Sequence, residues 1–83
     1  MSRKQKLIDK LKSKPKDMTF DEGESLLIYL GFTKSNKGRT SGSKIMFYKG
    51  NMKILLHKPH PQKELKPYQI NELLSELERE NLI

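Results

Sequence analysis

Apolar residues recur along this chain at two periods, and the changes of period divide it into elements. Between Met1 and Lys16 a lysine-rich run carries Leu7, Ile8 and Leu11 at i, i+1 and i+4. That spacing predicts a short amphipathic helix ended by Lys14-Pro15-Lys16. Its stripe is thin, so the helix must pack on the domain, pair with a partner or fray; it is too small for a membrane-surface role. A second helix is predicted from Asp17 to Gly31. Thr19-Phe20-Asp21-Glu22 fits a capping box, and acids in the first turn suit the positive end of the helix dipole. Phe20, Gly23, Leu27 and Leu30 recur at helical spacing, Leu26 and Ile28 widen the face, and Gly31 is placed to stop the helix with a positive φ. Gly23 inside it costs about 1 kcal/mol relative to Ala unless a close helix contact requires it.

The period then drops to two. Phe32 to Ser35 reads as a short strand, and Ser43 to Tyr48 and Met52 to His57 read as two longer ones joined by a Gly-Asn turn. Alternation puts Ile45, Phe47, Met52, Ile54 and Leu56 on one face, and Lys44, Met46, Tyr48, Lys53, Leu55 and His57 on the other. Opposed residues of an antiparallel pair share a face, so either permitted short-loop register sets Lys44 opposite His57 or within a diagonal step of it. Between the strands, Asn36 to Gly42 is a polar, basic loop; it has no GKS or GKT ending and is no nucleotide P-loop. After a loop broken by Pro59 and Pro61, Pro67 opens a last helix with a stripe of Ile70, Leu73, Leu74 and Leu77. Its glutamates are expected to point away from any nucleic acid. The order α, α, β, β, β, α predicts an α+β domain: a three-stranded antiparallel sheet with helices on one face.

Length and charge narrow the function. Eighty-three residues build one small core. Without cysteine there are no disulfides, thiolate metal sites or thiol nucleophiles. No apolar run approaches a membrane span, and Met1 to Lys16 lacks the core of a signal peptide, so a cytoplasmic location and no membrane partner are expected. Of the net charge of +7, residues 1–18 and 19–66 each contribute +5 and residues 67–83 contribute −3. From Lys34 to Lys66 nine Lys or Arg face the single acid Glu64. Such a region favours a phosphate backbone, with binding that weakens as salt rises.

Several marks then resemble one family, the HicA toxins of bacterial and archaeal toxin-antitoxin pairs. They are Thr19-Phe20-Asp21-Glu22, Leu30-Gly31-Phe32, Gly42-Ser43, Phe47, Leu56-His57-Lys58-Pro59-His60-Pro61 and Glu64-Leu65-Lys66, with Ser13-Lys14-Pro15-Lys16-Asp17 resembling the extended members. The resemblance implies a double-stranded-RNA-binding-like α-β-β-β-α fold over residues 17–83, with residues 1–16 as a basic N-terminal helical extension. It implies metal-independent cleavage of mRNA, no cofactor, and inhibition by a HicB-like antitoxin. The family's usual catalytic histidine follows Gly-Ser; here that position is Lys44.

RNA cleavage needs no metal when the neighbouring 2′-OH attacks the phosphodiester, because the nucleophile belongs to the substrate. The protein then supplies proton transfer and positive charge. Histidine is the residue type suited to the first. The candidate catalytic residues are therefore His57, with His60 assisting and Lys44 stabilising phosphate charge. Lys37, Arg39, Ser43, Tyr48, Lys53 and Lys58 are the expected RNA contacts. Phe47 belongs to the core face, whereas Tyr48 is available for stacking. The open-face pair Met46 and Leu55 is expected to be covered by the N-terminal helix or by an antitoxin. Two other classes compete with a ribonuclease: a non-catalytic RNA-binding module of the same fold, and a protein-interaction domain. A His-x-x-His metal site on a proline-broken turn, with only Glu64 nearby, is a poor fit.

Overall fold

A computed structural model of the chain describes residues 2–35, 44–59 and 62–83. It contains α1 (Arg3–Lys12), α2 (Phe20–Tyr29), β1 (Thr33–Lys34), β2 (Lys44–Lys49), β3 (Met52–His57) and α3 (Pro67–Arg79). The strands form an antiparallel sheet in the order β1-β2-β3. This is the α+β arrangement that the alternation of periods predicts, and it matches a double-stranded-RNA-binding-like α-β-β-β-α order preceded by α1. The expected strand start at Ser43 lies outside the described residues; β2 runs one residue past Tyr48.

The α2 capping box forms in full. Thr19 Oγ1 accepts from the Glu22 N–H at 3.1 Å, and Glu22 Oε1 accepts from the Thr19 N–H at 3.0 Å. Glu22 has a second task, because its carboxylate also takes Lys10 Nζ of α1 at 3.0 Å. Burial disfavours the Glu22 carboxylate, but the Thr19 N–H and the hydrogen bond and charge of Lys10 outweigh it, so its pKa lies below the ordinary glutamate value. The Lys10 pKa is raised, first by the hydrogen bond to Glu22 and against the opposing effect of burial. At the other end, Gly31 has φ +102°. Its N–H reaches Ile28 O at 3.0 Å and the Phe32 N–H reaches Leu27 O at 2.9 Å, a Schellman closure that also seats Phe32 in the core.

One apolar cluster joins all the layers. Leu7, Ile8 and Leu11 of α1, Leu26 and Leu27 of α2, Phe47, Ile54 and Leu56 of the sheet, and Ile70, Leu73, Leu74 and Leu77 of α3 are all buried in it. The N-terminal helix therefore packs on the domain, against α2 and α3. It does not lie over Met46 and Leu55, which belong to the opposite sheet face.

Gly23 is explained by a close approach, although not to another helix. A Cβ there would lie 3.1 Å from Leu65 Cδ1 and 3.6 Å from Leu56 Cδ1. Leu65 is held down by a short antiparallel pairing: its N–H donates to Met18 O at 2.8 Å, and the Phe20 N–H donates to Lys63 O at 2.9 Å. The segment before α3 is thereby sewn to the start of α2.

Candidate nucleic-acid interface

The β2–β3 hairpin turns through Gly50 and Asn51, and only Gly50 takes a positive φ, +59°. A positive φ at the first central residue alone is the type II′ pattern, which suits the right-handed twist of the strands. This tight turn sets the register: Lys49 pairs with Met52, and Lys44 lies directly across from His57. Of the two permitted registers, this is the one without a diagonal offset.

On the face turned away from the helices the hairpin carries three opposed pairs, namely Lys44–His57, Met46–Leu55 and Tyr48–Lys53. Successive rows are about 7 Å apart, twice the rise of a strand. An apolar row is thus bracketed by two rows that each bring a cation beside a ring. Lys44 and Lys53 are exposed, and Met46, Tyr48, Leu55 and His57 are half-buried. The Tyr48 hydroxyl approaches Ser35 Oγ at 3.5 Å. Phe47 is fully buried, as the alternation predicts.

The backbone shows how close the first pair comes. The His57 N–H donates to Gln69 Oε1 at 3.1 Å, and Gln69 Nε2 donates to Leu55 O at 3.4 Å. These backbone groups point away from β2. Met46 O does the same on the other side, accepting from the Ser35 N–H at 2.9 Å. Lys44–His57 and Met46–Leu55 are accordingly non-hydrogen-bonded pairs, with Cα atoms about 4.5 Å apart and side chains in their nearest arrangement.

Two residues that sequence reasoning passed over lie beside His57 among the described residues. Gln69, only 3% exposed, occupies the free edge of β3 as a substitute strand. Its one sequence signal is a lone amide on the shoulder of the α3 leucine stripe. Tyr68, half-exposed, sets its ring 6.4 Å from the His57 ring at 63°. Together with Pro59, Lys66 and Gln69 the two rings line a cleft of about 30 Å³.

His57 also lines a groove of about 610 Å³ between β3 and α3, together with Leu55, Asn71, Glu72, Glu76 and Arg79 among others. The acids of α3 therefore do not all point away from the candidate site, because two of them border a groove that His57 also lines. His57 thus borders a groove of mixed charge, in which Arg79 pairs with Glu76 at 3.0 Å, and a cleft bearing Lys66.

Of the other candidates, Lys58 projects toward the start of α2, with its Nζ 5.9 Å from the centre of the buried Phe20 ring. It does not join the Lys44–His57 row. His60, Lys37, Arg39 and Ser43 lie outside the described residues. Among the described residues no group of three or more His, Cys, Asp or Glu side chains is placed to hold a metal ion, and no helix is long and apolar enough to cross a membrane.

Comparison with curated proteins gives no match, and comparison with solved structures gives none either. A scan of protein families matches residues 20–78 to the one described as HicA toxin of bacterial toxin-antitoxin. That span begins with the first residue of α2, includes the whole hairpin and ends one residue short of the α3 C-terminus. The match covers well over half of the chain and coincides with the α-β-β-β-α core just described, so the chain belongs to the HicA toxin family of bacterial toxin-antitoxin systems.

Proposed function

We propose that this toxin is an endoribonuclease that cleaves mRNA without a metal, and that the Lys44–His57 row is its reacting centre. The direct, non-hydrogen-bonded opposition of these two residues on the open face carries the reading. An RNA phosphate lying over the row meets a cation and an imidazole together. The 2′-OH attacks the adjacent phosphorus and gives up its proton as the new P–O bond forms. The bond to the 5′-oxygen breaks, and that oxygen takes up a proton as it leaves. Products are a 2′,3′-cyclic phosphate and a 5′-hydroxyl. His57 carries proton transfer, His60 assists it, and Lys44 stabilises the charge that builds on the phosphoryl oxygens.

Lys53 and Tyr48, two rows away, hold the neighbouring part of the strand through charge and stacking. Lys37, Arg39, Ser43 and Lys58 add backbone contacts. A HicB-like antitoxin silences the enzyme by covering the apolar Met46–Leu55 row between the two basic rows. That row gives a protein partner something to bury.

One observation favours a second reading. Lysine occupies the position after Gly-Ser where the family usually carries its histidine, which suits an RNA-binding module without cleavage. Incubation of the protein with RNA in EDTA at low salt separates the two. The ribonuclease reading expects fragments ending in cyclic phosphate; intact RNA bound by the protein supports the module.

A further inference from the structure

His57 borders two flanks formed with α3. Glu72, Glu76 and Arg79 of α3 line the groove, whereas Lys66, Pro59 and Tyr68 line the cleft. Arg79 offsets part of the acid charge of the first flank by pairing with Glu76, and a polyanion reaching His57 still favours the second flank, which bears Lys66. Tyr68 stands on that second flank. It is a large aromatic residue, 50% exposed, on the first turn of α3, and helix packing does not require it there, since the buried stripe of α3 runs through Ile70, Leu73, Leu74 and Leu77.

Its ring nevertheless has a defined neighbour. It makes an edge-type contact with the His57 ring, 6.4 Å between centroids. A half-open aromatic face is what proteins use to seat an unpaired base, and this one lies beside His57.

We propose that Tyr68 is a base-stacking platform: the nucleobase next to the phosphate at His57 lies on the Tyr68 ring, so that the preferred substrate is single-stranded at the cut. The cleft of about 30 Å³ between the two rings is too small for a base, so the base lies over the outer face of Tyr68, not between the rings. Stacking uses the ring face and ignores base edges, so the platform selects unpaired over paired RNA more than it selects one base. This inference rests on the RNA reading of the Lys44–His57 row.

The test uses a labelled single-stranded RNA oligonucleotide with 2′-O-methyl groups throughout, which binds but cannot undergo 2′-OH attack. Titrations compare the native protein with Tyr68→Ala and Tyr68→Phe at several salt concentrations, and circular dichroism confirms the fold of each variant. Tyr68→Ala is expected to bind about ten-fold more weakly, with Tyr68→Phe near native and the salt slope unchanged, because no phosphate contact is removed. Native affinity in a folded Tyr68→Ala overturns the platform and leaves the RNA reading standing. Loss of affinity in both variants also overturns it, because the ring face is retained in Phe. If the native protein binds no RNA at low salt, the RNA reading and the platform fall together.

Discussion

The side-chain amide of Gln69 holds the backbone of His57 from outside the sheet, its Oε1 3.1 Å from the His57 nitrogen while its Nε2 reaches Leu55 O. An edge strand is normally free to fray or to pair with another chain. Here one buried amide satisfies two of its polar groups and ties the end of β3 to the first turns of α3.

Gln69→Ala removes both bonds and leaves the half-buried His57 N–H and Leu55 carbonyl without this partner. It is expected to destabilise the fold by about 1–3 kcal/mol. The denaturation midpoint measures this, and faster hydrogen exchange at the His57 amide localises it. A native exchange rate at that amide would show that the clamp is not formed in solution.

The left-handed residue at the end of α2 offers a second check. Gly31→Ala places a Cβ at φ +102°, which is expected to cost about 1–2 kcal/mol. The nearest atom, Lys49 Nζ at 2.8 Å, ends a flexible chain and swings away cheaply. The loss therefore belongs to the backbone, and Gly31→Asn, which tolerates this conformation, should lose less. Equal losses for Ala and Asn in thermal unfolding would point to a steric cause instead.

The Lys10–Glu22 pair makes stability depend on pH. The Glu22 pKa is lowered on folding, so its stabilisation is complete above the unfolded glutamate pKa and disappears as pH falls through the lower folded value. The Lys10 pKa is raised, so its stabilisation is complete below the unfolded lysine pKa and disappears as pH rises through the higher folded value. Unfolding curves should show native protein losing more stability than Glu22→Gln on going from about pH 6 to about pH 3. Parallel losses would remove Glu22 from the account.

Deleting residues 1–16 strips Leu7, Ile8 and Leu11 from the core together with the Lys10 ion pair. Each buried leucine or isoleucine stabilises by about 1.5–3 kcal/mol, against a total of about 5–15 kcal/mol for a domain. The shortened chain is expected to unfold at a much lower temperature or to lose its cooperative transition. An unchanged midpoint would make α1 a mere appendage.

The parts of this fold that depend on local pattern could be read from the residues. The Thr19–Glu22 box, the Gly31 stop and the α3 stripe each lie within a few positions, and period-two alternation plus a two-residue turn leaves few registers for Lys44 and His57. The parts that depend on meetings between distant segments could not. Nothing local says that Leu65 will lie on Gly23, or that Gln69 will close the edge of β3. Tyr68 is of this kind too, because an aromatic residue at a helix start has no signature until its neighbour across the loop is known. The antiparallel contact of residues 18–20 with 63–65 is of the same kind, since irregular segments carry no period to match.

RNA cleavage by the Lys44–His57 row is the proposal on which the rest of the function depends. Its most direct test is the cleavage rate of an RNA substrate in EDTA for native protein, His57→Ala, Lys44→Ala and the double variant. Loss of His57 is expected to slow cleavage by about 10²–10⁴-fold. Loss of Lys44 is expected to slow it less, and the double variant should fall short of the product of the two single effects, because the side chains act on one phosphate. Cleavage by His57→Ala at the native rate contradicts the account.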